Sequence, residues 1–410
     1  MSNANIIKPK TTEEVSSIVK QAMRDGTAIT PMGGDSWIYS GGVVPDDGIV
    51  LDMGNIDRLI EVDAEDQRVI VDAGVRWDKL YDTVLKSGFL LGACPSNASS
   101  STVGGWINTG GYGIGSYKYG GIEEQIRSLE VVLSNGKVIN TGFDDVASNS
   151  SGYSLTELMV GAEGTLGIIT KSTLKIYNKE EMRQLSYSFM DIDSLSEAAY
   201  VLTRAKVTPF NISFTDKNHS EFLSNVGTDA PEGPILNITL KGSKEMMDYE
   251  EGIIDQLMGK GKKEDAKVAK QEWDNRYFDA CIRKLGSVIV VPEAMIPVSR
   301  MSEMIAGVYD IASGMGLKSS INGLIIDRSS VLLMPYCLQG GDDLKSQVTA
   351  MALGKKVDEL VSKYGGCSVM GVVHDYSTRK STGEDVTALK DMKMAFDPYN
   401  ILNPNRSPKL

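Results

Sequence analysis

Hydrophobic positions in the first half of the chain alternate between helical and extended spacing. Residues 11–34 predict a helix followed by a strand: Thr11 begins a capping sequence, VSSIVKQAM has helical periodicity and Gly26 ends it. RVIVDAG and GIITKSTLKIY predict strands, VRWDKLYDTVLKSG predicts a helix, and Asn135-Gly136 predicts a tight turn between two strands. Parallel and antiparallel pieces mixed in this way indicate an α+β fold.

Beyond about residue 180 the pattern changes to longer helical segments with little glycine. These segments are LSEAAYVLTRA, KEMMDYEEGIIDQLM, KEDAKVAKQEWDNRYFDACIRKLG, SRMSEMIAGVYDIASGMG and LKSQVTAMALGKKVDELVSKYGG. The strand-like runs PILNITLKG, SVIVVP and SVLLMPYCL lie between them. A second α+β domain is therefore expected, followed by a last helix, EDVTALKDMKMAF, and a turn-rich tail.

Length, charge and composition narrow the class of protein. A chain of 410 residues is too long for one ordinary core, so two domains are expected. No window approaches the roughly 18 apolar residues of a membrane span, and MSNANIIKPK lacks a secretory core, so a cytoplasmic protein is expected. A net charge of -12 argues against a nucleic-acid partner, because phosphate binding needs a basic face. Four scattered cysteines predict neither disulfides nor a metal site.

Three glycine-rich segments in the first half carry the candidate chemistry. In Pro31–Ser36, two glycines let backbone N–H groups converge on an anion. Ser99–Gly120 is too rich in glycine to predict a packed helix, and its interleaved aromatic residues argue against a flexible linker. Small residues recur in Gly161–Ile168. Backbone packed around a large planar ligand accounts for this combination.

These segments resemble the flavin-binding domain of the vanillyl-alcohol oxidase (PCMH-type) superfamily, and most closely its D-lactate/glycolate/D-2-hydroxyglutarate dehydrogenase branch. The family's P-x-G-G-G-T-S loop corresponds to Pro31–Trp37, its T-x-G-G segment to Thr102–Gly105, and its G-S-E-G-T-L-G-I to Gly161–Ile168. A Y-G pair is present at Tyr119-Gly120, and the F-D-P-x-x-I-L-N-P ending is present at Phe396–Pro404. Motifs that match in order from residue 31 to residue 404 are far more specific than any one of them.

The resemblance implies a two-part PCMH-type FAD-binding domain over residues 1–180, an inserted α+β cap (substrate) domain over 181–370, and a C-terminal segment, 371–410, that returns to the flavin site. The family often tethers FAD through a histidine in the first loop, but no histidine precedes His219 here, so noncovalent FAD is expected. By resemblance, the FAD-binding residues are Pro31, Gly33, Gly34, Asp35, Ser36, Pro95, Thr102, Gly104, Gly105, Tyr112, Tyr119, Gly120, Glu163, Gly164, Gly167, Ile168 and Asn403.

The chain departs from this branch where a metal would bind. The branch's H-x-G-D-G-N-x-H motif falls on Gly323–Val331, which contains no histidine. Its later E-H-G-I-G segment falls on Val373–Ser377, where the glutamate has become Val373 and the histidine remains as His374. A catalytic zinc or manganese site needs about three protein ligands, so no catalytic metal is expected.

His374 is then the predicted general base for the substrate hydroxyl, because an imidazole with a pKa near ~6.5 suits that proton. Without a metal, an arginine fork is expected to bind an acidic substrate. Arg276 is the first candidate, since its segment resembles the family's W-x-x-R, and Arg328 and Arg300 are alternatives. The pocket is expected to be lined by Lys118, Tyr119 and Tyr376.

The resemblance implies an FAD-dependent oxidoreductase that oxidises a small alcohol, a 2-hydroxy acid such as D-lactate or glycolate being favoured, by hydride transfer to the flavin. Its electron acceptor is not encoded in the sequence. Two alternatives stay open: a sugar or alditol oxidase or dehydrogenase of the same fold, and an FAD-carrying non-catalytic subunit of a larger oxidase complex. A homo-oligomer or a partner subunit is compatible with each.

Overall fold

The computed structural model of the chain describes residues 5–34, 47–146, 152–225, 227, 231–277, 288–290, 293–338, 344–368, 383–404 and 406. The chain divides into two compact units: unit 1 is Met1–Tyr112, Gly121–Lys179 and His374–Leu410, and unit 2 is Gly113–Gly120 and Glu180–Val373. The short segment Gly113–Gly120 thus groups with unit 2, although the sequence predicts residues 1–180 as one domain. Among the described helices, none combines the length and apolarity that a membrane crossing requires.

Unit 1 is built on two sheets. Its strands are β1 (Asn5–Ile7), β2 (Ile29–Met32), β3 (Ile49–Asp52), β4 (Leu59–Asp63), β5 (Arg68–Asp72), β6 (Phe89–Leu91), β7 (Ile126–Val132), β8 (Val138–Gly142) and β9 (Ile168–Asn178). The described strands form a parallel sheet in the order β1-β3-β2 and an antiparallel sheet in the order β4-β5-β9-β7-β8, with β6 also paired to β9.

The helices of unit 1 are α1 (Thr12–Asp25), α2 (Trp77–Lys86), α3 (Val103–Thr109), α5 (Ile122–Gln125), α6 (Leu155–Met159) and α13 (Gly383–Phe396), with a single 3₁₀ turn at Met53–Asn55. α1 begins and ends where the sequence predicts: the Thr11 side chain accepts a hydrogen bond from the Glu14 N–H, and Gly26 ends the helix at φ 67°. The apolar face of α1 packs on β2 and β3 in a core that also contains Ile401 and Leu402 of the tail.

The prediction that Ser99–Gly120 contains no helix is wrong. α3 begins after Thr102, whose hydroxyl accepts a hydrogen bond from the Gly105 N–H, and ends at Gly110 with φ 66°. The reason for glycine inside it is packing: a Cβ at Gly104 would lie 2.7 Å from the Cβ of Ala73. The caps and the close contact therefore outweigh the low helix propensity of glycine.

Unit 2 is an antiparallel sheet with helices. Its strands are β10 (Met182–Ser188), β11 (Asn211–Thr215), β12 (Ile235–Lys241), β13 (Lys262–Lys263), β14 (Val288–Val290), β15 (Ala294–Pro297), β16 (Lys318–Ile325), β17 (Ser330–Leu338) and β18 (Cys367–Ser368). Its helices are α4 (Ser116–Tyr119), α7 (Ile192–Arg204), α8 (Lys217–Asn225), α9 (Lys244–Leu257), α10 (Ala266–Asp274), α11 (Met301–Gly314) and α12 (Leu344–Lys363), with a 3₁₀ turn at Val298–Arg300. The described strands run in the order β13-β10-β12-β11-β16-β17-β15-β18, and β14 pairs with β17.

The two faces of the unit 2 sheet differ in polarity. On β12, Leu236, Ile238 and Leu240 point into a core with side chains of α7, α9, α11 and α12. The alternate residues, among them Thr239 and Lys241, therefore point to the opposite face. α10 ends at Asp274 although the sequence predicts a longer helix there, and residues 278–287 lie outside the described part of the chain.

Candidate functional site

The first two predicted FAD loops of unit 1 lie against each other. A Cβ at Gly33 would lie 2.3 Å from Thr102 Oγ1 and 3.4 Å from the Gly105 Cα. A Cβ at Gly34 would lie 1.8 Å from the backbone oxygen of Ser100. Only glycine permits this approach, so the end of β2 and the start of α3 meet backbone to backbone.

The third glycine-rich segment joins the same place. A Cβ at Gly164 would lie 2.5 Å from Pro31 Cγ, and Gly164 has φ 70°. The Asn108 side chain of α3 ties the segments together: its Oδ1 accepts from the Gly164 N–H at 3.0 Å, and its Nδ2 donates to the Gly104 oxygen at 2.8 Å. Residues 31–34, 100–105 and 161–164 therefore form one structure, called here the glycine cluster.

The C-terminal motif fixes the chain that borders the glycine cluster. The buried ammonium of Lys393 pairs with the buried carboxylate of Asp397 and donates to the backbone oxygens of Thr165, at 2.9 Å, and Leu402, at 2.8 Å. Burial lowers the pKa of Lys393, and the charge of Asp397 opposes that shift. Asp397 also accepts from the Leu402 N–H at 2.8 Å, so this one ion pair holds the tail.

Asn403 and Arg406 extend these contacts to Glu163. Asn403 Nδ2 donates to the Glu163 oxygen at 2.7 Å, and Arg406 Nη1 lies 3.3 Å from Glu163 Oε2. Burial raises the pKa of Glu163, and the nearby Arg406 partly offsets this. Glu163 itself has φ 50°, an uncommon value for a residue with a side chain.

The glycine cluster fits a dinucleotide such as FAD. Its glycines Gly33 and Gly34 bring backbone close to backbone, and peptide N–H groups are suited to a pyrophosphate. Within the cluster as described, Glu163 is the one carboxylate, and its charge is balanced by Arg406. The described part of the cluster therefore has no unbalanced negative charge that would repel a phosphate.

The other predicted cofactor residues lie in several places. Pro95 is buried in the loop after β6, and the Tyr112 ring is in contact distance of Gly121. Gly167 and Ile168 pack on β7 and in the unit 1 core. Tyr119 and Gly120 belong to unit 2, and Asp35 and Ser36 lie outside the described residues.

The three candidate arginines of unit 2 have different surroundings. Arg328 donates to the backbone oxygens of Thr203, Ala205 and Val207 at 2.7–3.1 Å, so it closes the C-terminal end of α7. Arg300 is 54% exposed and pairs with Glu303 at 3.1 Å. These two side chains have structural partners.

Arg276 is the candidate suited to a ligand. Its guanidinium lies 4.2 Å from the Trp273 ring and 4.4 Å from the Tyr277 ring, and Nη1 donates to the Trp273 oxygen at 2.7 Å. Its Nε is buried without a hydrogen-bond partner in the described part of the protein. Two aromatic rings therefore orient a cation that keeps donors for a carboxylate.

The metal motif of the resembling branch falls on the β16–β17 hairpin. In the register of these strands Leu324 lies opposite Leu332, and both side chains are buried. Throughout the described ranges, no group of three or more His, Cys, Asp or Glu side chains is arranged to hold a metal ion.

Two predicted site residues lie outside the part of the chain that the structure describes, and four residues with contacts near the predicted sites were not predicted. His374 and Tyr376 lie in the range 369–382, which is not described. No role is predicted from the sequence for Asn108, Lys393, Arg406 or Lys241. Lys393 had one signal, its i,i+4 spacing from Asp397 in the C-terminal motif; the other three depend on contacts between segments distant in sequence.

Comparisons with known proteins agree with this geometry. An FAD binding domain model matches residues 4–142, and a model described as FAD linked oxidases, C-terminal domain, matches residues 178–406. Among curated relatives, the glycolate oxidase subunit GlcD of Bacillus subtilis is 28% identical over 98% of this chain and 88% of its own length. The D-lactate dehydrogenase of Archaeoglobus fulgidus is 29% identical over 98% of this chain and 91% of its own.

Solved structures give the same fold. A substrate-bound p-cresol methylhydroxylase superposes with a TM-score of 0.83 at 16% identity, covering 98% of this chain and 88% of that one. An alkyldihydroxyacetonephosphate synthase superposes with a TM-score of 0.78 at 22% identity, covering 99% of this chain and 77% of that one. The PCMH-type α+β fold is thereby confirmed, and since the oxidase model spans more than half of the chain, the protein belongs to the FAD-linked oxidases, with FAD as its cofactor.

Proposed function

We propose that this FAD-dependent oxidoreductase oxidises a small 2-hydroxy acid of the D-lactate or glycolate type. The observation that carries the substrate class is the cation at Arg276, oriented between two aromatic rings in unit 2. The relatives named glycolate oxidase subunit and D-lactate dehydrogenase, which align over nearly the whole chain, support the same class.

Each unit has one task in this proposal. Unit 1 binds FAD noncovalently through the glycine cluster, and unit 2 binds the substrate, in keeping with the predicted boundaries near residues 180 and 370. The chemistry that FAD supplies when bound is the acceptance of a hydride from the carbon that bears the hydroxyl group. The cytoplasm stays the predicted compartment on the sequence alone.

The chain's own residues perform the remaining steps. Arg276 binds the substrate carboxylate through its planar donors, which fixes the orientation of the neighbouring hydroxyl. His374 is the proposed base for the hydroxyl proton, and Tyr376 stays a predicted pocket residue. No metal takes part in this proposal, because Gly323–Val331, where the branch's metal motif falls, contains no histidine.

Anaerobic addition of candidate substrates to the purified holoenzyme tests the proposal through the visible flavin absorbance. D-lactate or glycolate should bleach it, whereas alditols and sugars should not. Bleaching by polyols alone would instead establish the sugar or alditol alternative. The absence of bleaching by a broad panel, together with a co-purifying partner, would establish a non-catalytic subunit.

A further inference from the structure

An exposed arginine lies at the edge of the glycine cluster. Arg76 is the residue immediately before α2, and its Nη1 donates to the backbone oxygen of Ser99 at 2.6 Å. Within the described part of the chain, this is the only hydrogen bond that its side chain makes. A guanidinium carries five N–H donors, so most of them remain available to a ligand.

The backbone of Arg76 is fixed to the glycine cluster. Arg76 and Thr102, the residue that caps α3, form an antiparallel bridge. The next residue, Trp77, donates its N–H to the Ser101 oxygen at 3.1 Å. Because both partners belong to the cluster, the position of the Arg76 Cα relative to it is set by the main chain and not by the long side chain.

The turn that accepts the guanidinium also meets the first glycine loop. In residues 97–101, the N–H groups of Ser100 and Ser101 both donate to the Asn97 oxygen at 3.0 Å, so this segment is tightly turned. The Ser100 oxygen is the atom that a Cβ at Gly34 would meet at 1.8 Å. The guanidinium is therefore bound one peptide away from the contact between the end of β2 and the start of α3.

Arg76 is not neutralised by an ion pair. Among the described residues, no carboxylate lies within ion-pair distance of its guanidinium. The acidic residues near it in sequence or on α2 have other contacts: Asp78 accepts from the Lys79 N–H at 2.7 Å, and the Asp57 carboxylate lies 3.7 Å from Lys79 Nζ. The charge of Arg76 is thus held beside the cluster without a bound counter-charge.

The glycine cluster needs a cation if it binds a pyrophosphate. Its residues, 31–34, 100–105 and 161–164, include no lysine or arginine. The cations Arg406 and Lys393, which border it, lie beside the carboxylates of Glu163 and Asp397. Peptide N–H groups supply only partial positive charge, whereas each phosphate of FAD carries a full negative charge. Arg76 can supply what the cluster lacks.

We propose that Arg76 is a further FAD-binding residue, whose guanidinium pairs with the pyrophosphate of the cofactor. This inference rests on the proposed binding of FAD at the glycine cluster. The planar fork of arginine matches phosphate oxygens, and the hydrogen bond to Ser99 orients it. Arg76 acts on the affinity for FAD and takes no part in the removal of the hydroxyl proton.

Equilibrium dialysis of the FAD-loaded protein at low salt tests this role through the Kd for FAD. Arg76→Met keeps much of the side-chain stem and removes the charge, so Kd should rise about tenfold or more, as expected for the loss of a charge-assisted hydrogen bond. Arg76→Lys should recover part of the affinity, because it keeps the charge but not the fork. If Arg76→Met retains too little FAD to measure, Arg76→Lys decides the question.

Lys79→Met is the matched control. Lys79 lies in the first turn of α2, its side chain is 57% exposed, and its ammonium lies near Asp57 rather than Ser99. The substitution changes the net charge of the protein by the same amount as Arg76→Met. Its Kd for FAD should stay within about twofold of the wild-type value, since an exposed charge that does not contact the ligand is largely screened.

The salt dependence of Kd separates a contact with the phosphates from mere support of the turn at 97–101. The wild-type Kd should rise more steeply with salt, up to ~1 M, than the Kd of Arg76→Met, because screening weakens an exposed ionic contact. An equal ratio of the two Kd values at every salt concentration would overturn the pairing and assign Arg76 to the turn.

Unchanged affinity for FAD in Arg76→Met at low salt would also overturn the inference. If Gly34→Val then still lost its FAD, the glycine cluster would be retained and only the role of Arg76 rejected. A Gly34→Val protein that keeps FAD would reject the cluster itself, and the pairing of Arg76 with it.

Discussion

The glycine cluster of unit 1 and the polar face of unit 2 use different parts of the chain for recognition. In the cluster, backbone approaches backbone at Gly33 and Gly34, and Gly164 packs on the Pro31 ring, so a side chain at any of these would collide with a neighbour. In unit 2, the candidate group is the long side chain of Arg276, oriented by two aromatic rings. A backbone site tolerates almost no change, whereas a side-chain site can change its ligand by exchanging single residues.

The largest expected effect is at Gly34. Gly34→Val should abolish FAD binding, because its Cβ would lie 1.8 Å from the Ser100 oxygen and must displace the loop. The ratio of flavin to protein absorbance after purification measures this. Gly252→Ala, in the middle of α9 with no atom within 4 Å of the new Cβ, should keep full FAD content and gain up to about 1 kcal/mol in stability. A Gly34→Val protein that retains FAD would refute the role of the cluster.

The next effect is on the tail that borders the cluster. Lys393→Met leaves the buried Asp397 carboxylate without its cation, which should lower the free energy of unfolding by about 3–5 kcal/mol. Urea unfolding of the holoenzyme measures it. The double variant Lys393→Met/Asp397→Asn should lose less free energy of unfolding than the two single variants lose together, because the partners act as one unit. Additive effects would show that the pair is not coupled.

On the substrate side, His374→Ala should slow flavin reduction by on the order of 100-fold if the imidazole accepts the hydroxyl proton. Stopped-flow absorbance under anaerobic conditions measures the rate, and FAD content should stay at the wild-type level. Comparable loss of FAD would assign His374 to the cofactor site instead. A normal reduction rate would exclude it as the base.

A smaller effect is expected at Arg276. Arg276→Lys keeps the charge but loses the planar fork, so KM for a hydroxy acid should rise about tenfold with less change in kcat. Arg300→Lys is the control, since Arg300 is an exposed partner of Glu303 and should leave KM unchanged. Equal KM values in both variants would remove Arg276 from the substrate site.

The smallest effect concerns charge inside the glycine cluster. Because burial raises the folded-state pKa of Glu163, the folded protein binds this proton more tightly than the unfolded chain does. The resulting stabilisation is complete below the ordinary glutamate pKa and is lost as the pH rises through the raised pKa. Glu163→Gln should lack this pH dependence of Tm. The same change of Tm with pH in the variant and in the wild type would contradict this prediction.

The sequence predicts the cofactor region far better than the substrate region, for a physical reason. Close backbone approach requires glycine at fixed positions, so Pro31–Gly34 and Gly161–Ile168 keep their spacing and can be read from one sequence. Lys241 carries no local signal, because its hydrogen bond with Tyr119 joins residues that are 122 positions apart in the chain. The helix at Val103–Thr109 was missed because glycine propensity takes no account of the tight packing on Ala73.

The most direct test of the account compares one hydroxy acid with its neutral counterpart in the anaerobic reduction of the wild-type flavin. D-lactate has a carboxylate, which Arg276 is proposed to bind, where propane-1,2-diol has a neutral CH2OH group. The account predicts that D-lactate bleaches the flavin at least about tenfold faster at equal concentration, as expected for a charge-assisted contact of about 1.5–3 kcal/mol at Arg276. Equal rates for the two compounds would contradict it.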